Sequence, residues 1–455
     1  EPNLVAYPPS LMLDGPLARH AVLVMGRANG VLTEDLTAQA LLRVEDPSIA
    51  SVSKEGTVAA QADGRTTLIC RVGGEEVRVP VTVRGMDQPT RWSFRNHVLP
   101  VLTKAGCNSG ACHGAAAGKN GFRLTLRGYG PETDYDVLTR QAHARRIDKS
   151  NPSQSLFLLK GTGTIMHGGG PRIAVGTREF QILADWIAAG LEPPSDGDAT
   201  LKSVKVFPEA VVLSKGRTQR LLVQAEYSDG RVEDVTSWAK YGSTDETVAR
   251  VGDDGRVSVE GEGETSITVW FTSLVARATI TSPQTRPVDA AVFANAPRVN
   301  PIDELNLAKL AQLRIPPSPP ANDQEFLRRA YLDATGSLPS IDHVRAFLDD
   351  GDPKKREKLI NRLLESKEYV DHWAYKWSDL LLVSSKKLGT PAMWAFHRFV
   401  RESVRKNTPW DVFARQLLTA KGQSLTNGAA NYFVLHRDPI ELTETTSMAF
   451  LGLSM

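Results

Sequence analysis

The chain repeats itself. Asp46-Pro-Ser-Ile-Ala-Ser-Val52 and Asp245-Glu-Thr-Val-Ala-Arg-Val251 stand 199 positions apart (245 − 46), and at the same offset Gly56, Val58, Gly64 and Thr66 fall on Gly255, Val257, Gly263 and Thr265. A gapless register that matches turn glycines and apolar positions together marks two copies of one module. Within the first copy, the short apolar runs Ala21–Met25, Thr66–Val72 and Val77–Val83 alternate with Gly and Asp turns, the pattern of a β-sandwich. We therefore expect all-β modules over 1–86 and 199–284. At 455 residues the chain is too long for a single core, so further domains must fill the intervals.

Both copies resemble bacterial Ig-like domains of group 2, through the order D-x-x-(V/I)-A-x-V, then G-x-V, then G. The resemblance implies adhesion, glycan binding or a spacer role. Neither copy carries an aromatic binding platform, which favours spacers that position the segment between them.

That segment, 87–198, changes to helical periodicity. Phe94, Val98, Val101 and Leu102 share one face just ahead of Cys107-Asn-Ser-Gly-Ala-Cys112-His113. Two thiols followed at once by an imidazole are the parts needed to attach haem c covalently and ligate its iron, usually spelled C-x-x-C-H. Here four residues separate the cysteines, and Asn108, Ser109 and Gly110 are turn formers able to bulge the extra length outward. Gly114-Ala-Ala-Ala-Gly118 is small enough to let backbone approach a macrocycle. Two other readings use the same residues: a zinc site on Cys107, Cys112 and His113, which lacks a fourth ligand nearby, and a Cys107–Cys112 disulfide, which leaves His113 unexplained. Thr177 to Gly190 closes the segment as a capped helix, with Phe180, Leu183, Trp186 and Ile187 as its buried stripe.

A leading helix, a C-H motif and a closing helix with a Trp-Ile pair resemble a class I-like cytochrome c. They are more similar still to the cytochrome domains of large exported planctomycete proteins, in which the haem segment sits beside Ig-like domains and precedes a helical region. A distal iron ligand is then needed from elsewhere, and Thr162-Gly-Thr-Ile-Met166-His167-Gly-Gly-Gly170-Pro-Arg172 offers a thioether and an imidazole side by side. The resembled family has a His-Gly-Gly-Gly element here, which implies His167 as distal ligand and Met166 as the alternative; a water-bound site is the third. Arg172 is a candidate for a haem propionate, as are Arg145 and Arg146, for which a solvated charge run is the plainer reading. His97 and His143 read as satisfied core or surface groups.

After Pro283 an Ala- and Pro-rich linker over 285–301 leads to a helical domain over 302–455, with Pro316-Pro-Ser-Pro-Pro320 as a stiff stretch. Helices are expected at 303–310, 323–334, 341–348, 353–366, 369–383, 391–406 and 410–420, with Ser340 and Asp352 as caps. Phe326 to Pro339, His372 to Asp379, and Tyr432-Phe433 through Phe450-Leu-Gly-Leu resemble the helical domain of unknown function of the same planctomycete proteins. There a C-x-x-C-H motif follows; this sequence stops at Met455 first, so one haem c is expected and the domain reads as truncated. Arg328, Arg329, Asp333, Asp379, His397, His436 and Asp438 show no nucleophile–base spacing and read as ion pairs and solvated faces, while Trp373, Trp377 and Trp394 read as core.

The net charge of +2 gives no sign of a nucleic-acid partner, three cysteines exclude a disulfide framework, and no apolar run is long enough to span a membrane. Cys70 reads as a buried core thiol. The start at Glu1 without Met reads as a processed N-terminus. The expected architecture is thus mixed and multidomain: two all-β Ig-like sandwiches flanking an all-α cytochrome c-like domain, then an all-α C-terminal domain. The expected role is that of a periplasmic, cell-surface or extracellular c-type cytochrome. It would pass electrons to a redox partner, another cytochrome or a membrane-bound complex, and would itself be an electron-transfer protein or oxidoreductase subunit. Alternatives are a haem-containing enzyme acting on glycans or other polymers through its C-terminal module, and a cell-surface structural protein.

Overall fold

The computed structural model describes residues 3–453, which divide into two compact units, Glu1–Pro317 and Ser318–Met455. Glu1, and Ser454 and Met455 of the apolar ending, lie outside the described residues.

The repeat is a repeat of structure. In the first module Leu4–Tyr7, Leu23–Ala28 and Val31–Asp35 form one sheet; Leu11–Asp14, Glu75–Arg84, Gly64–Val72 and Leu41–Val44 a second; Arg19–Ala21, Thr57–Ala60 and Ala50–Val52 a third. The second module repeats that order strand for strand from Leu201 to Ser282, down to the parallel pairing of its short second strand with its last. Shared residues explain the shared path. Asp46 accepts the Ser48 N–H and hydroxyl, and Asp245 does the same for Thr247, which fixes one turn in each copy. Gly56 and Gly255 sit at φ +85° and +77°, and a Cβ on Gly56 would lie 2.9 Å from the Val22 carbonyl oxygen. Ala50, Val58, Ala249 and Val257 are fully buried at the centres of the two cores, as is Cys70 in the first.

The segment between the modules is helical: a wide turn Phe94–Val98 runs into α1 (Leu99–Lys104), followed by α2 (Pro131–Thr139), α3 (Leu156–Gly161) and α4 (Arg178–Ala188). The closing helix is as the sequence foretold. Thr177 Oγ1 accepts the Phe180 N–H, Leu183, Trp186 and Ile187 are buried, and Gly190 at φ +101° ends it; Ile182 joins the stripe, whereas Phe180 is half-buried. Phe94 packs on Trp186 (ring centres 5.2 Å apart) and on Tyr135 (5.4 Å), so the opening turn, α2 and α4 meet in one aromatic cluster.

The modules are not spacers on a string. One continuous core joins the helical segment, the second module, and Leu23 and Met25 of the first. Polar contacts seal the seams. Asn96 Nδ2 donates to the Ala199 carbonyl at 2.8 Å, Lys104 Nζ to the carbonyls of Ala239 (2.7 Å) and Asp253 (2.6 Å), and the Ala21 N–H to Asp234 at 2.8 Å. The helix Pro301–Leu313 also belongs to this unit, tied to the second module by Lys309 and Glu264 at 2.7 Å.

The second unit is helical, with helices Asp323–Thr335, Ile341–Asp349, Lys355–Leu364, Lys367–Leu380, Thr390–Arg405, Trp410–Leu418 and Pro439–Leu451. Ser340 caps as expected. Asp352 does not: the helix begins two residues later, and Asp352 accepts the Lys354 N–H instead. The tryptophan expectation also needs correction. Val370, Ala374 and Ser378 form the buried stripe of their helix and Phe396 and Val400 that of theirs, which turns Trp373 and Trp394 to the exposed side; Trp377 is half-buried. Among the described residues, no helix is long and apolar enough to cross a membrane.

Candidate functional site

The motif follows directly on α1. Cys107 N–H donates to the Leu102 carbonyl, and the His113 N–H reaches back to the Cys107 carbonyl at 3.0 Å, so residues 108–112 form a closed loop. Only part of that loop bulges outward. Gly110 and Ala111 are exposed, but Asn108 turns inward, fully buried, with its Nδ2 on Thr103 Oγ1 at 2.8 Å. Gly114 is required by this fold-back, since a Cβ there would stand 2.1 Å from the Asn108 carbonyl oxygen. The glycine thus serves the loop's own packing.

Cys107 and Cys112 are both free thiols. Burial pushes the Cys107 thiol up to about 11, with the neighbouring Cys112 adding to the rise and Arg172 opposing it. The Arg172 side chain is exposed.

His113 and His167, 54 positions apart in sequence (167 − 113), come together. Their ring centres are 6.1 Å apart and their planes lie within 9° of parallel. Each ring places its Nδ1 against a backbone carbonyl, Phe122 at 3.0 Å for His113 and Gly170 at 2.9 Å for His167, which leaves Nε2 as the nitrogen with a free lone pair. Burial lowers the His113 pKa, and the positive groups around it act in the same direction against its Phe122 hydrogen bond, which favours the neutral ring. The His167 loop is itself braced: Arg172 and Ile173 N–H groups close it on the Gly161 carbonyl, and Ile173 anchors it in the core.

The two rings are stacked, at a separation within the range of offset ring pairs. Two imidazoles that share a metal through Nε2 also have ring centres roughly 6 Å apart, about 2 Å from metal to nitrogen and about 1 Å more to each centre, with the metal in both ring planes. Met166 is 90% exposed beside the pair, its carbonyl oxygen bonded to Lys160. Among the described residues, no group of three or more His, Cys, Asp or Glu side chains is arranged to hold a metal ion.

The remaining candidates have other duties. His97 is buried, accepting the Ser93 N–H at Nδ1 and facing Glu233 through Nε2 at 3.2 Å. His143 and Arg145 are exposed, His143 within the left-handed stretch Ala142–Ala144. Arg146 is neither a solvated charge nor free for a propionate: it is buried, donates to the carbonyls of Val137, Gln141 and Gly121, and lies over the Phe122 ring. In the second unit His397 pairs with Ser378, His436 with Leu381 and Glu441, and Asp438 caps a helix. Arg328, Arg329, Asp333 and Asp379 are exposed, and the group forms no common site.

Comparisons with known proteins bear on the two ends of this arrangement. Residues 200–280 match the bacterial Ig-like domain (group 2), the module whose strand order the first copy shares. Residues 301–455 match a family described as a protein of unknown function (DUF1549). No curated protein matches the chain. Among solved structures, domains 5-6 of the S-layer protein SbsC are 12% identical over 62% of this chain and 98% of that one, with a TM-score of 0.26. The extracellular domains 3-5 of Drosophila OTK are 9% identical over 61% of this chain and 60% of that one, with a TM-score of 0.13. Scores this low define no common overall fold.

Proposed function

We propose that this chain is an exported c-type cytochrome that passes electrons through one haem, fixed by Cys107 and Cys112 and ligated by His113 and His167. The observation that carries this reading is the imidazole pair: parallel within 9°, 6.1 Å apart, each with Nδ1 committed to a carbonyl. When bound, the haem supplies a one-electron change at iron. The chain's part is to hold its ligands still. The Phe122 and Gly170 carbonyls fix the tautomer and orientation of the two rings and raise their basicity. The aromatic cluster around Trp186 keeps the surrounding helices rigid, and Arg172 provides a positive charge for a propionate. An iron held by both His113 and His167 would have no open position for substrate, which favours a carrier or relay over an enzyme. Its partner is then a redox protein, another cytochrome or a membrane-bound complex. Periplasmic, cell-surface or extracellular location follows from haem attachment outside the cytoplasm, and the Ig-like match is in keeping with it.

A second reading, a cell-surface structural protein, is favoured by the way both β-modules and the helical segment pack into one body. In that case the haem only strengthens the fold. Peroxidase staining of a denaturing gel tests the attachment: the parent chain, matured with haem, stains, and the Cys107→Ser, Cys112→Ser double variant does not. A parent chain that fails to stain refutes the proposal. A redox titration separates the two readings, since the carrier exchanges electrons with a soluble mediator and the structural protein does not.

A further inference from the structure

Away from the motif, one cavity of about 430 Å³ in the first unit gathers buried hydrogen-bond donors that the protein leaves unused. It opens where the first module, the start of the helical segment, the first turn of α4 and the second module meet. Trp92 and Trp238 both line it, 8% and 3% exposed, and the indole N–H of each is buried with no acceptor. Arg178, at the same cavity, lies over the Trp238 ring at 5.2 Å and makes no hydrogen bond or ion pair among the described residues. Burial, reinforced by the like charge of Arg19, works against its protonated form and outweighs the opposing charges of Glu233, Asp234 and Glu179. Unpaired donors of this kind are costly to bury, and such sites are ordinarily completed by a ligand or by water.

The acidic side chains of the cavity do not complete it, because they are committed elsewhere. Asp14 pairs with Arg84, Asp234 accepts the N–H groups of Ala21 and Thr236, and Glu233 Oε1 takes His97 and Arg231. What remains is the two indole N–H groups, the Arg178 guanidinium and the buried Arg231 Nε–H, with one acceptor, Glu233 Oε2, which the buried Tyr227 hydroxyl neighbours. A guanidinium with two indole N–H groups matches a carboxylate; a lone carboxylate oxygen beside them matches a hydroxyl.

We propose that this cavity binds a small hydroxylated carboxylate of the sugar-acid class, its carboxylate on Arg178, Trp92 and Trp238 and a hydroxyl on Glu233 Oε2. The site does not depend on the haem reading. Isothermal titration of the full chain with sodium glucuronate, sodium acetate and glucose tests it. Glucuronate binds saturably with one site per chain, acetate binds more weakly, and glucose does not bind. Arg178→Gln weakens glucuronate binding at least about tenfold, and Trp92→Phe, which keeps the ring and loses the N–H, weakens it severalfold. Circular dichroism and the thermal midpoint confirm that both variants are folded. Absence of glucuronate binding, equal binding of glucose, or full binding by a folded Arg178→Gln chain overturns the proposal and leaves a water-filled junction. Acetate binding as tightly as glucuronate removes the hydroxyl contact and with it the sugar-acid assignment.

Discussion

Glu233→Gln removes one charge from the seam between the helical segment and the second module while keeping the side chain's shape. The Glu233 carboxylate faces the His97 ring N–H at 3.2 Å and the Arg231 guanidinium at 2.8 Å. Burial works to raise its pKa, but these partners and Arg178 outweigh burial and bring it from 4.5 down to about 2. A folded value below the unfolded one means that the stabilisation is complete above about pH 4.5 and is lost as pH falls through the folded value. The drop from 4.5 to about 2, at about 1.4 kcal/mol for each tenfold change in acidity, sets an upper bound of about 3.5 kcal/mol. The side chain is 21% exposed, so solvent screening brings the expected effect to about 1–3 kcal/mol. Urea denaturation followed by tryptophan fluorescence measures it, because Trp92 and Trp238 both pack on His97. The parent chain is more stable than Glu233→Gln at pH 7 by that amount, and the gap closes as pH is lowered from about 5 to 2. A gap below about 0.5 kcal/mol at pH 7, or one that does not change with pH, refutes the reasoning.

Trp186→Ala empties the centre of the aromatic cluster and breaks the indole bond to the Glu192 carbonyl at 3.0 Å, so it lowers stability by about 3–5 kcal/mol. Trp186→Phe, which loses the N–H and one ring, costs roughly half as much in the same urea assay. Gly114→Ala forces the Asn108 carbonyl away and opens the inter-cysteine loop, so the haem-stained fraction of the chain falls. Gly110→Ala, whose Cβ meets nothing nearer than Leu126 at 3.9 Å, leaves that fraction unchanged.

Much of the fold could be read from particular residues. The repeat was visible because its glycines and Asx turns are set by local backbone geometry, which sequence encodes directly: Gly56 and Gly255 can be replaced only at a steric cost, so they hold the register. Helix Arg178–Ala188 was legible for the same reason, through its Thr177 cap and apolar spacing. What sequence could not say was which buried face meets which. Met25 and Leu23 read as ordinary strand residues of the first sandwich, yet they belong to the core of the second module and the helical segment. Arg146 read as a solvated charge because nothing in the sequence shows that the chain turns back over 137–146 to put the Val137 and Gln141 carbonyls against it, or that Gly121, 25 positions away, meets it too. The inward turn of Asn108 had a signal of its own, a small amide following Cys107, but its Thr103 partner gave no pattern to search for. The cavity of Trp92, Trp238 and Arg178 draws on residues up to 146 positions apart (238 − 92), and no motif marks it.

The most direct measurement is the alkaline pyridine spectrum of the purified chain, produced in a host that matures c-type cytochromes, with its intact mass and near-infrared magnetic circular dichroism. The account predicts one haem joined through two thioethers, a mass increased by that single group, and a charge-transfer band of bis-imidazole ligation that shifts when His167 is replaced by Ala. A colourless chain of unmodified mass, or zinc bound at Cys107 and Cys112, contradicts it.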